Sequence, residues 1–134
     1  LNENYRLIKT SSIQLNVAPP KSKTEAIEIL ADLMEKSGNL NNKEEYLKAV
    51  IAREESGSTG LGDGIATPHA KSAAVKEAGL AAMVIPDGMD FEALDGNPSR
   101  LFFMIAAPDT ASDLHVELLS KLAMMVMDPI LKNP

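Results

Sequence analysis

The sequence predicts an α/β fold, a mixed β-sheet flanked by helices, and three observations carry that expectation. Two segments place apolar side chains at helical spacing behind capping signatures, two short apolar runs stop at prolines, and one early segment alternates apolar with polar residues. The alternation comes first: Ile13, Leu15 and Val17 are separated by Gln14 and Asn16, and Pro19 and Pro20 end the predicted strand. Ser22 followed by Glu25 forms a capping box, whose hydroxyl and carboxylate satisfy free amides at a helix start. Ala26, Ile27, Leu30, Leu33 and Met34 then share one helical face until Gly38. Asn42 with Glu45 opens a second helix, with Leu47, Val50 and Ile51 as its expected buried stripe and Arg53 in its last turn. A glycine-rich loop follows. Beyond it, Gly79 to Ile85 is a predicted buried strand ended by Pro86, and Leu101 to Ala106 another ended by Pro108. Between them DGNP, from Asp95 to Pro98, is a turn that can reverse the chain into an antiparallel partner. Ser112 to Met127 has the spacing of an amphipathic helix with Leu114, Leu118, Leu122 and Met125 on one face, capped by Ser112 or Thr110. Met124, Met125 and Met127 belong to that helix and are expected to pack in the core.

Composition narrows the function classes. A chain of 134 residues, 45% of them hydrophobic, can bury one real core and is expected to be a single domain over 1–134. It has no cysteine, which excludes disulfides, thiolate zinc sites and a cysteine nucleophile. The net charge of −6 argues against a nucleic-acid partner, which proteins normally meet with a basic face. No apolar run approaches the roughly 20 residues of a membrane span and the start carries no signal-peptide pattern, so a soluble, cytoplasmic protein is expected.

The chemistry concentrates in TGLGDGIATPH, residues 59 to 69. Gly60, Gly62 and Gly64 permit positive φ and close approach of a neighbouring group. Pro68 has a fixed φ and biases Thr67 toward an extended conformation, so His69 leaves a stiff segment in one direction. An imidazole with its ordinary pKa of about 6.5 is largely neutral at pH 7 and keeps a lone pair for attack on phosphorus or for a metal. The plainer alternative is an ordinary turn that happens to hold a histidine. Arg53, sixteen residues upstream, either complements the end of its helix dipole or grips phosphate oxygens with its fork. His115, 46 positions after His69, falls in the first turn of the predicted last helix, where free amides and the dipole favour an anion and a neutral imidazole. By itself it would be a half-buried helix residue.

Taken together, RxxxxSTGxGxGIAxPH from Arg53 to His69 and DLHVELLSKLA around His115 resemble the enzyme IIA domains of the fructose and mannitol class of the bacterial phosphotransferase system. The resemblance runs from Ser22 to about Asp128 and implies the fold of that class, with no cofactor and no metal. It also implies that His69 accepts a phosphoryl group, through Nε2, from the phosphocarrier HPr and passes it to a cysteine of a IIB domain. Arg53 and His115 would then be the catalytic partners, and the Ser58 and Thr59 hydroxyls with the Gly60, Gly62 and Gly64 amides would bind phosphate. Relatives commonly carry isoleucine where this chain has Thr67, and one further helix beyond the position of Pro134, so a domain truncated at its C-terminus is expected. GIATPHAK and DGMDFEALDGNPSRLFFMIAAP look fructose-like, which makes fructose the expected sugar and a membrane IIC domain a partner in the full-length protein. The alternative within the fold is a nitrogen-regulatory IIA-like phosphoprotein that signals by docking. A metalloenzyme joining His69 and His115 to Asp63 or Asp113 lacks any recognised ligand spacing, and a histidine phosphatase lacks its Arg-His-Gly signature. A pure interaction domain without chemistry is the remaining class.

Overall fold

The computed structural model describes residues 13–112, together with 114, 116–118 and 121. Strand β1 (Ile13–Gln14) leads into helices α1 (Lys23–Lys36) and α2 (Lys43–Glu55), then β2 (Gly60–Gly62), β3 (Ile65–Ala66), β4 (His69–Lys71), β5 (Gly79–Met89) and β6 (Ser99–Ala107). The six strands form one mixed sheet in the order β1-β5-β6-β3-β2, with β4 also on β6. β5 and β6 are antiparallel, while β1 runs parallel to β5, and β3 and β4 parallel to β6.

Both sheet faces are covered, which is why the central strands are continuous apolar runs rather than alternating ones. Ala81, Met83 and Ile85 of β5 and Phe102, Met104 and Ala106 of β6 join the core built by α1 and α2. Leu80, Ala82, Leu101, Phe103, Ile105 and Ala107 form a second cluster on the opposite face, with Val116. The mixed sheet flanked by helices is therefore as the sequence predicts.

The helix starts are local events and follow the sequence closely. Ser22 Oγ accepts the Glu25 N–H at 3.1 Å and Asn42 Oδ1 accepts the Glu45 N–H at 3.1 Å. The capping box closes one residue early, since the Glu25 carboxylate takes the Lys21 N–H at 3.4 Å. The predicted apolar face of α1 is buried throughout, and Gly38, at φ 80°, turns the chain out of it.

Five expectations change. The first strand is short: Asn16 adopts φ 59° and leaves Leu15 exposed, and the chain returns to the sheet when the Val17 N–H donates to Val84 O at 2.9 Å. The buried face of α2 is Tyr46, Val50 and Glu54, with Leu47 and Ile51 only half-buried. That face is available because Tyr46 and Glu54 find polar partners inside, so their polar tips need no water. β5 continues through Pro86 to Met89, with the register shifting between Val84 and Met89, an irregularity where the missing proline N–H costs no ladder bond. The glycine-rich loop is a hairpin, β2 against β3, turning at Asp63 and Gly64 with φ 55° and 79°. Positions 114, 116–118 and 121 are helical, but Leu114 and Leu118 are exposed while Val116 faces the sheet, because Val116 and Ala111 are the residues that reach the second cluster. Leu122, Met124, Met125, Met127 and His115 lie outside the described residues.

Candidate functional site

His69 opens β4, half-buried and in register opposite Ile105 of β6. The preceding Pro68 has a carbonyl but no N–H, and that carbonyl accepts the Ile105 N–H at 3.1 Å. Ile105 is held from the other side as well, since the Tyr46 hydroxyl of α2 donates to Ile105 O at 2.8 Å. Burial pushes the Tyr46 phenol well above its ordinary value, so it stays a donor. The imidazole is fixed by one short bond: Nδ1 lies 2.8 Å from Thr67 O. A carbonyl has no proton to give, so Nδ1 carries a hydrogen, and in the neutral ring Nε2 keeps the lone pair.

Arg53 sits half-buried in the last turn of α2. Its Nη1 donates to Gly57 O at 2.9 Å and lies 3.5 Å from Ser56 Oγ, folding the guanidinium over the helix end. Among the described residues Nη1 alone makes these bonds, and the other guanidinium N–H groups can serve a ligand. The next residue, Glu54, is buried and was not singled out by the sequence. Its carboxylate takes the Thr59 N–H at 2.9 Å, the Thr59 hydroxyl at 2.5 Å and the Lys23 ammonium of α1 at 2.8 Å. Lys23 also reaches Glu92 at 2.8 Å and lies 4.7 Å over the Phe91 ring. Burial opposes the Lys23 charge, but the hydrogen bonds to Glu54 and Glu92 outweigh it and raise its pKa above the ordinary lysine value.

The expected phosphate donors divide by position. The Ser58 hydroxyl gives its proton to Phe91 O at 2.8 Å and accepts the Gly60 N–H at 3.1 Å, and the Thr59 hydroxyl is committed to Glu54. These bonds brace the chain between Arg53 and His69. Gly62 and Gly64 stand at the far end of the hairpin. Ile65 of β3 pairs with Leu101 and His69 of β4 with Ile105, four residues along β6, which is about 13 Å at ~3.3 Å per residue. The carboxylate this tip binds is the chain's own: Asp95 Oδ2 accepts the Asp63 N–H at 3.0 Å. The Asn97 and Asp63 N–H groups hold the Asp95 carboxyl below its ordinary value. The close approach at Gly60 is likewise internal, because a Cβ there would come within 2.8 Å of Ala93 Cα and 3.0 Å of Phe91 O. Gly60→Ala is therefore expected to destabilise the fold by about 1–3 kcal/mol, since backbone must move. Urea unfolding showing no loss would mean that the 91–93 segment gives way freely.

The segment after Arg53 is stitched to the one before His69. The Thr67 N–H donates to Thr59 O at 3.0 Å and the buried Thr67 hydroxyl lies 3.5 Å from the same oxygen. Thr67 thus turns its hydroxyl away from His69 and its carbonyl toward it. Arg53 and His69 are joined by this path, Gly62 and Gly64 are not part of it, and His115 lies outside the described residues. Tyr46 was also missed, for it is one aromatic on a helix whose expected stripe ran beside it. No described helix is long and apolar enough to cross a membrane.

The family model of the phosphoenolpyruvate-dependent sugar phosphotransferase system, EIIA 2, matches residues 6–132. The fructose-specific EIIABC component of Bacillus subtilis (strain 168) is 41% identical over 121 residues, covering 90% of this chain but only 19% of the relative's length. Among solved structures, the nitrogen regulatory protein IIA-Ntr of Neisseria meningitidis superposes with a TM-score of 0.79 at 33% identity, covering 94% of this chain and 86% of that one. The Escherichia coli complex of enzyme IIAMTL and phosphorylated enzyme IIBMTL gives 0.73 at 25% identity, covering 89% and 81%.

Proposed function

Since the chain belongs to the EIIA 2 family of the phosphoenolpyruvate-dependent sugar phosphotransferase system, we propose that it is a phosphocarrier whose acceptor is His69 Nε2. The observation that supports this most is the imidazole itself, with Nδ1 tied to Thr67 O and Nε2 left with its lone pair. In the forward step that lone pair attacks the phosphorus of phospho-HPr. The phosphorus–nitrogen bond of the donor breaks, and its electron pair returns to the donor imidazole. In the onward step a IIB cysteine thiolate attacks the same phosphorus, and the pair returns to His69 Nε2. Such transfers pass through a loose transition state with charge on three equatorial oxygens, so donors aimed at those oxygens matter more than covalent help. Arg53 supplies the free part of its fork and His115 a neutral imidazole N–H. Ser58, Thr59 and Gly60 keep the segment between Arg53 and His69 in place.

Fructose is the proposed sugar, supported by the 41% identical fructose-specific relative. A second reading, a nitrogen-regulatory IIA-like phosphoprotein, is supported by the nitrogen regulatory neighbour at 33% identity. Both share the first step and part at the second. The test is incubation with phosphoenolpyruvate, enzyme I and HPr, followed by intact mass measurement and addition of a fructose IIB domain. One phosphoryl group, labile in acid and stable in base, with rapid passage to the IIB cysteine, is the expected result. No label overturns the phosphocarrier reading, and a label that IIB cannot remove favours the regulatory one.

His115→Ala is expected to remain labelled at His69 but more slowly, by on the order of 10²-fold, in both acceptance and onward transfer. Rapid-quench time courses with phospho-HPr and with IIB measure it. Peptide mapping that found the label on His115 would exchange the two roles, and unchanged rates would make His115 a packing residue.

A further inference from the structure

We infer that Glu54 is a positioning residue for His69, acting through Thr59 and Thr67. An unbroken series of hydrogen bonds joins them. Glu54 takes both the N–H and the hydroxyl of Thr59, the Thr59 carbonyl takes the N–H and hydroxyl of Thr67, and the Thr67 carbonyl takes His69 Nδ1–H. Glu54 and the two intermediaries are shielded, with Glu54 at 8%, Thr59 at 3% and Thr67 at 5% exposure, so water cannot substitute for a broken link. The Lys23 ammonium lies 2.8 Å from Glu54 in that setting, and a buried carboxylate with a cation and two donors is a rigid anchor.

The arrangement decides which nitrogen of His69 is bare. A ring bond to a carbonyl two residues back holds only as well as that carbonyl is aimed, and Pro68 between them is tied through its own carbonyl to Ile105, with no N–H to add a second bond. The aim of Thr67 is set instead by Thr59, and that of Thr59 by Glu54. If Thr59 shifts, the ring loses its partner and Nε2 can take the proton, which removes the nucleophile. A role limited to finishing α2 would lower stability and leave the ring unchanged.

The inference rests on the phosphocarrier reading only for its effect on transfer; the tautomer is independent of it. Long-range proton–nitrogen correlation spectra of the whole chain at a pH where the ring is neutral report which nitrogen is protonated, with His69→Ala identifying the signals. The native ring is expected in the Nδ1–H form. Glu54→Gln, which turns an amide NH2 on one of its donors, and Thr59→Val, which deletes the hydroxyl, should both shift it toward a mixture. Both should slow acceptance from phospho-HPr by roughly 10- to 100-fold, the cost of a misaligned reacting group. Thr59→Ser should restore the native spectrum, and Glu92→Gln, on the exposed partner of Lys23, should match it. Should Glu54→Gln fail to fold, Thr59→Val decides. An unaltered tautomer in the folded variants overturns the inference, whereas a native chain that takes no label overturns the phosphocarrier reading and leaves the spectra to judge Glu54.

Discussion

Replacing His69 with alanine is expected to abolish phosphoryl acceptance outright, leaving no mass shift after incubation with phosphoenolpyruvate, enzyme I and HPr. The loss should be complete because the nucleophile is the one group whose removal deletes the reaction, whereas donors to the phosphoryl oxygens only scale its rate. The fold should survive, since the backbone of β4 is held by its register with β6 and not by the ring. His69→Asn sharpens the test. Its side-chain amide can still donate toward the Thr67 carbonyl that Nδ1 now uses, yet its nitrogen lone pair is delocalised into the carbonyl and cannot attack phosphorus. Both variants should unfold in urea close to the native midpoint and both should be silent. Label that persisted in either would move the acceptor elsewhere.

The second large effect is expected at Arg53. Arg53→Ala should lower acceptance by roughly 10²- to 10³-fold while costing little stability, because the two roles of the side chain differ in size. At the helix end a cation contributes about 0.3–1 kcal/mol, and the Nη1 bond to Gly57 O about 0.5–1.5 kcal/mol. A charged donor on the transferring group in a water-poor site contributes several kcal/mol to the barrier. Arg53→Lys should keep the helix-end term and recover only part of the rate, since a point charge cannot hold Gly57 O and two phosphate oxygens together. Stopped-time labelling of the three proteins beside their urea midpoints separates the effects. Equal rates would leave Arg53 as a helix-terminal cation.

What the sequence disclosed of this molecule follows the range of the interactions. Ser22 and Asn42 announced their helices because a cap needs only the next three residues. The apolar runs of β5 and β6 announced a doubly covered sheet. The buried face of α2 could not be read, because burying Tyr46 and Glu54 depends on Ile105 O across the sheet and on Lys23 of another helix. The hairpin was read only as a glycine-rich loop, because strands of three and two residues offer no alternation to mark them. The same distance explains the site. His69 and Arg53 stood out by their neighbours in the chain, whereas the groups that approach Gly60 and Gly62, Ala93 and Asp95, are distant in sequence.

The anchoring of His69 carries a consequence for traffic. Its neighbour Pro68 is bonded to Ile105, Ile105 is bonded to Tyr46, and Tyr46 is part of the core, so the backbone that carries the nucleophile is fixed in one place. In the proposed relay the donor and the acceptor must therefore take turns at one doorway. Such a carrier works as a shuttle that one partner has to vacate before the next can enter, and crowding it with the loader delays the unloader.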